Sequence, residues 1–382
     1  MVYLYIAAWI LCMVGMLLHK RYVFCIGSRV IKKVYDTKIL SVIEFVILLL
    51  VFLLITSNRT GLDILSYVQT YESEIYDYTR EPLYTLLRCI FYKMGISFYI
   101  FRAVLTLFSG LMAISTVKKL GVDLSFVLLF YLPSMVFTDS MQFRNAVAFS
   151  VMVWSLKYFV VKEKYAVVKY VICTVLIAQI HTAYYFALIM VVGFLKKTRK
   201  RVAALIFATG IFVSGITLLN GKQVPMLVFF LEHFLAEGDS RIWKYNTSGN
   251  LGWVIPTGIH IITIVIAVIV NRYMHKDCFG ITRKQLEYLD VIFVYNLVLF
   301  LTVPAIMMNM HYYRLIRGAF ILNVIGFSFL FQKKMKMERL QYIVLGVVIL
   351  LTGLWYMLDM VVFENSTVMA GPVLEGILFF LQ

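Results

Sequence analysis

Between residues 57 and 84 the chain reads SNRTGLDILSYVQTYESEIYDYTREPLY, and within it Arg59, Asp63 and Tyr67 follow at steps of four. That spacing predicts one helix face carrying a cation, a carboxylate and a phenol. A plain surface ion pair, worth a few tenths of a kcal/mol, would show the same spacing. Arg80-Glu81-Pro82-Leu83-Tyr84 comes next. Pro82 suits the first turn of a new helix, and Glu81 falls beside its positive N-terminal dipole. A carboxylate held there can act as a general base, or simply start the helix. A third group, Asp139-Ser140-Met141-Gln142-Phe143-Arg144-Asn145, lies between two apolar runs. The planar fork of Arg144 matches a phosphate, although snorkelling to lipid headgroups also suits an arginine there. The fourth group pairs His181, at a turn, with the run HYYRLIR at 311–317. In that run Arg314 and Arg317 are i,i+3 neighbours, and two adjacent cations favour a shared anion. A lone histidine in such a place is also a common packing residue.

Together Arg59, Arg144, Arg314 and Arg317 bring the charge that a lipid diphosphate needs, and Asp63, Glu81 and His181 can handle protons. The outer tyrosines, Tyr67, Tyr71, Tyr76, Tyr78 and Tyr84, with Trp243 or Trp253, can stack on sugars or anchor at the membrane interface. No H-E-x-x-H, Walker A, G-x-G-x-x-G or Asp-x-Asp occurs, so no motif calls for a metal, nucleotide or other cofactor. The cysteines at 12, 25, 89, 173 and 278 are scattered, without C-x-x-C, and support neither a disulfide framework nor a zinc site.

The elements that must position these residues are membrane helices. The chain has 382 residues, of which 62% are hydrophobic and 15% charged. Its mean hydropathy is +0.87. Solid apolar runs of about 17 residues or more recur along it, where a β-barrel would alternate. The expected fold is all-α: a polytopic integral membrane protein, one domain over 1–382 with about twelve transmembrane helices. The runs are 2–18, 39–56, 98–117, 122–138, 145–161, 166–180, 183–195, 202–220, 254–271, 287–306, 314–331 and 341–360. The first lacks a basic leader and a small-residue cleavage site, and reads as a retained span.

Basic clusters fall between alternate runs, which makes those loops cytoplasmic. Cytoplasmic segments and their flanking helix ends hold 25 of the 36 Lys and Arg and 8 of the 20 Asp and Glu. The outer segments hold the other 11 bases and 12 acids. The whole excess of +16 is therefore topological and needs no nucleic acid. This topology leaves 57–97 and 221–253 as outer loops. It makes 82–94 an amphipathic helix at the outer surface rather than a span, since a span there would put Arg144 inside.

The order R-x-x-x-D-x-x-x-Y at 59–67, E-P-L-Y at 81–84, Q-F-R at 142–144 and I-H at 180–181 resembles the EpsG family of Wzy-like bacterial polysaccharide polymerases. The resemblance runs over about residues 40–200, and beyond them rests on length, span count and Tyr313-Arg314. It implies a GT-C-like glycosyltransferase, similar to O-antigen ligases, in the bacterial cytoplasmic (inner) membrane with its site facing the exterior. It implies an undecaprenyl-diphosphate-linked oligosaccharide as substrate, membrane lipids as surroundings, a chain-length regulator as a further partner, and no metal. The roles implied are Glu81 as first choice of base, with Asp63 or His181 behind it. Arg59, Arg144, Arg314 and Arg317 would hold the diphosphate, and Tyr67, Gln142, Tyr84 and Tyr313 the sugars. A flippase or transporter of lipid-linked sugars, or an O-antigen-ligase-like enzyme or acyltransferase, stands as the rival. Transporters tend to show repeated halves and midplane charges. Here no repeat is visible and the charges gather at outer ends.

Overall fold

The computed structural model describes residues 2–18, 25–26, 29–30, 37–59, 62–73, 76–79, 81–161, 163–224, 251–276, 281–309, 312–331 and 338–363. Most of the outer loop at 221–253, with Trp243, lies outside the described residues, as do Arg80 and parts of the basic loops.

Among the described residues the fold is helical, with one short antiparallel pairing of Cys25–Ile26 with Arg29–Val30. Among the described residues, eight helices are long and apolar enough to cross a membrane: Ile39–Ser57, Phe98–Lys119, Leu124–Met141, Arg199–Leu219, Val254–Lys276, Arg283–Met308, Tyr313–Leu330 and Arg339–Asp359. Tyr3–Leu18, Ala166–Ala178 and Thr182–Phe194 are shorter apolar helices, the last wound as a 3₁₀ helix. The run expected at 145–161 is two helices, Phe143–Ser155 and Lys157–Val160. Eight of the twelve expected spans thus have full crossing length, and the chain is a multi-pass membrane protein. Large apolar side chains such as Phe45, Phe108, Leu205 and Phe212 point outward, which suits a lipid surround.

Local chemistry sets the helix ends. Asp123 accepts the Ser125 N–H at 2.9 Å and caps the helix from Leu124. Pro133 interrupts that helix, which ends at Ser134 and resumes at Val136. Gly95 sits at φ +71 after the helix Pro82–Lys93. There the N–H groups of Gly95 and Ile96 reach back to the carbonyls of Tyr92 and Phe91, a closing motif that needs left-handed backbone.

Contacts divide the chain into two compact units. The first comprises residues 1–188, 279–285 and 324–382. In it Phe98–Lys119 packs along Phe143–Ser155, and Val2–Leu18 packs on Thr37–Ser57 and Leu124–Ser134. The second comprises residues 189–278 and 286–323. In it Arg199–Leu219 packs on residues 300–308, with Gly210 so near the Phe300 backbone that a Cβ would meet it at 3.0 Å.

Ion pairs join residues that lie far apart along the chain. Lys118 and Glu44, both read as cytoplasmic, pair at 3.2 Å. Arg199, Glu287 and Asp290, also read as cytoplasmic, form a second cluster. Glu81, Arg144 and His181, read as outer, meet in a third.

Candidate functional site

Glu81 gathers the site. It is the N-cap residue of the helix Pro82–Lys93, with Pro82 in the first turn. Its carboxylate does not cap that helix but turns into the first unit. Oε2 accepts from Arg144 Nη1, on the first turn of the helix Phe143–Ser155. Oε1 accepts the Thr182 N–H at 3.2 Å and lies 3.3 Å from His181 Nδ1. Thr182 opens the 3₁₀ helix Thr182–Phe194, so the carboxylate also meets the positive end of a helix. The Tyr84 N–H donates to the Gln179 carbonyl at 3.2 Å, which fastens the helix Pro82–Lys93 to the turn bearing His181.

Burial pushes the Glu81 carboxyl up. The hydrogen bond from His181, the Arg144 charge and the Thr182 N–H outweigh it and hold the carboxyl below its usual range. Glu81 is therefore ionised and accepts only, so His181 Nδ1 must carry the proton it shares with Glu81. When the ring is neutral, that leaves the lone pair on Nε2.

Arg144 is held as firmly as Glu81 but less fully matched. Its guanidinium lies over Tyr67 at 4.8 Å and over Tyr84 at 5.1 Å. Tyr67 in turn packs edge-on against Phe143 at 5.0 Å. Arg144 Nε has no hydrogen-bond partner among the described residues, and 28% of the side chain stays exposed. A cation in this state suits an incoming anion.

The other residues singled out from the sequence have different surroundings. Arg59 does not share a helix face with Asp63 and Tyr67. The helix Thr37–Ser57 has ended before it and the next begins at Leu62, so helical spacing never applies. Arg59 lies over the Tyr99 ring at 4.8 Å, and Asp63 is exposed in the first turn of Leu62–Glu72. Gln142 is buried at the junction before Phe143, with Oε1 lacking a partner among the described residues. Tyr84 and Tyr313 were expected to stack on sugars, but only 4% and 1% of them is exposed, so neither offers an open face in this structure. Tyr84 carries Arg144 instead. Arg314 and Arg317 belong to the second unit, on the helix Tyr313–Phe327. Arg317 is buried there and donates to the Tyr313 hydroxyl at 3.5 Å.

Sequence reasoning missed Arg102. It is fully buried in the helix Phe98–Lys119 and donates to three carbonyls, those of Asn58 (2.6 Å), Ile55 and Ser140. Asn58 Nδ2 adds a bond to Ser140 Oγ at 3.1 Å. Arg102 thereby satisfies the C-terminal carbonyls of Thr37–Ser57 and ties them to the turn that leads to Arg144. Its one sequence signal is an arginine inside an apolar run. Among the described residues no three His, Cys, Asp or Glu side chains stand close enough to hold a metal ion.

Fold and site together define a multi-pass helical membrane protein with a shared carboxylate–arginine–histidine cluster. The chain belongs to the EpsG family, whose model matches residues 42–370, well past the stretch that carries the motifs. That is a family of Wzy-like polysaccharide polymerases, glycosyltransferase-like membrane proteins. No curated protein and no solved structure matches the chain.

Proposed function

We propose that the Glu81–Arg144–His181 cluster is the active site of a polymerase that joins undecaprenyl-diphosphate-linked oligosaccharide repeat units. The reaction is an inverting glycosyl transfer of the GT-C type at the outer side of the bacterial cytoplasmic membrane. The observation that supports it best is Arg144: a partly exposed cation on two aromatic faces, fixed by a carboxylate that also holds an imidazole.

The acceptor hydroxyl gives its proton to a base and its oxygen attacks the anomeric carbon. The bond from that carbon to the diphosphate oxygen breaks, and the lipid diphosphate leaves with the electron pair. It leaves unprotonated, so one base suffices and no acid is required. Single displacement inverts the anomeric centre. Arg144 stabilises the charge that grows on the leaving diphosphate, a task a preorganised arginine performs without a metal ion. Glu81, first choice of base from the sequence, has both oxygens engaged and is held below its usual range, so it is a weak base. His181 takes that role, with Glu81 holding its Nδ1–H and thereby orienting Nε2.

The test is purified full-length protein supplied with lipid-linked repeat units. A ladder of chain lengths is expected from wild type, with and without chelator, and not from Arg144→Ala or His181→Ala. Ladders that persist in both variants would overturn the assignment. Repeat units that stay trapped inside while polymer length remains normal would favour transport.

A further inference from the structure

The first unit holds a second feature that the cluster does not use, a cleft of about 780 Å³. It is lined by Tyr76, Tyr92 and Tyr99, with Glu72, Lys93 and Ser97 among them. Its volume is in the range of small-molecule sites. We propose that this cleft is a saccharide subsite that grips sugars of the substrate beyond the reacting one. The proposal rests on the polymerase reading for the class of ligand.

Its chemistry suits a sugar. A pyranose ring presents an apolar C–H face and a rim of hydroxyls. A tyrosine presents an apolar face and one hydroxyl, the same pairing in complementary form. Glu72 accepts from hydroxyls, Lys93 donates, and Ser97 does either. Among the lining side chains one carboxylate stands beside one ammonium.

The cleft is also built in advance of any ligand. Tyr71, in its lining, donates from its hydroxyl to the Ile96 carbonyl at 2.7 Å. The helix-closing turn at Gly95 holds the same loop from the other side. Arginines brace two of the rings, Arg88 over Tyr76 at 4.9 Å and Arg59 over Tyr99 at 4.8 Å. Fixed rings lose little freedom on binding.

The cleft adjoins the cluster through one aromatic layer. Phe98 lines the cleft and packs edge-on against Phe143 at 5.6 Å, the residue before Arg144. Phe98 also stacks with Tyr67 at 6.4 Å, and Tyr67 lies under Arg144. A lipid-linked oligosaccharide with its diphosphate on Arg144 therefore has a neighbouring surface ready for its distal sugars.

The test measures binding apart from catalysis. The probe is oligosaccharide fragments, free of lipid and phosphate, released from the surface polysaccharide of the source strain. Saturation-transfer NMR on full-length protein in detergent reads their affinity. Tyr92→Ala removes a ring and Ser97→Trp fills the cleft from an exposed position. Both are expected to weaken binding about tenfold or more. Arg144→Ala is expected to leave it within about twofold. Thermal midpoints of the variants check folding, and the two opposite changes guard against one that fails to fold. A wild type that binds no fragment would overturn the subsite, as would Tyr92→Ala and Ser97→Trp proteins that bind as wild type does. Displacement of the fragments by phosphatidylglycerol vesicles but not by excess unlabelled fragment would overturn it too. Fragment binding without any extension of lipid-linked units would retain the subsite and remove the polymerase reading. A ladder with unchanged fragment binding in both variants would do the reverse.

Discussion

Arg144 and Arg199 are two arginines paired with carboxylates in one membrane protein, and their surroundings differ in kind. Arg199 meets two acids: Nη1 lies 2.5 Å from Glu287 Oε1 and Nη2 lies 2.5 Å from Asp290 Oδ2. Lys200 and Asn271 complete the Asp290 carboxylate, at 2.8 Å and 3.2 Å. Two cations thus face two anions. Arg144 meets one acid, which it shares with His181 and the Thr182 N–H, and otherwise lies on tyrosine faces. A buried arginine matched to two acids holds helices together, whereas a partly exposed arginine matched to one shared acid is suited to a ligand.

The largest effect expected is on stability, at Arg199. Arg199→Ala leaves Glu287 without its arginine and Asp290 with only Lys200, His275 and Asn271, and should cost about 3 kcal/mol, read as a drop in thermal midpoint in detergent. Its turnover per folded molecule should stay near wild type. Arg144→Ala should do the opposite: a smaller stability loss, but a transfer rate about 10²–10³-fold lower. Equal stability losses at the two sites, with activity intact in both, would erase the distinction. Arg144→Lys keeps the charge but not the fork, and should recover only part of the rate.

Next in size is the pH response of Glu81. A carboxyl whose folded value lies below its unfolded one contributes stability that is fully present above the unfolded value. That stability is lost as pH falls through the folded value. Glu81 is of this kind, with an ordinary value of 4.5. The stability gap between wild type and Glu81→Gln should therefore hold steady from about pH 8 to about pH 5 and narrow below that. A gap that already closes near neutral pH would mean Glu81 is not the ionised hub of the cluster. The smallest effect belongs to exposed Asp63. Asp63→Ala should change stability by less than about 0.5 kcal/mol and leave the ladder unchanged.

Glu81, Arg144 and His181 were legible in the sequence because ionisable residues are costly beside membrane spans, so each needs a reason. That one carboxylate serves both others was not legible, since they are 63 and 100 residues away along the chain. The eight long helices were readable as solid apolar runs. The break at Leu156, between Phe143–Ser155 and Lys157–Val160, was not, because hydropathy does not register where a helix is interrupted. Arg59 misled because regular spacing was taken across a helix end, and Gly61 after it was a turn signal passed over. Tyr84 and Tyr313 misled because tyrosine serves equally as core and as open platform, and only packing decides. Arg102 was passed over because its partners are backbone carbonyls, which leave no mark on side-chain pattern.

The most direct test of the central claim is a single-turnover measurement of lipid diphosphate release from a lipid-linked donor, with acceptor present, in full-length wild-type and Arg144→Ala proteins of equal folded fraction. We predict a rate about 10²–10³-fold lower in the variant, at saturating donor. Release at the wild-type rate in Arg144→Ala would contradict the account, because nothing else in the proposed chemistry replaces that cation.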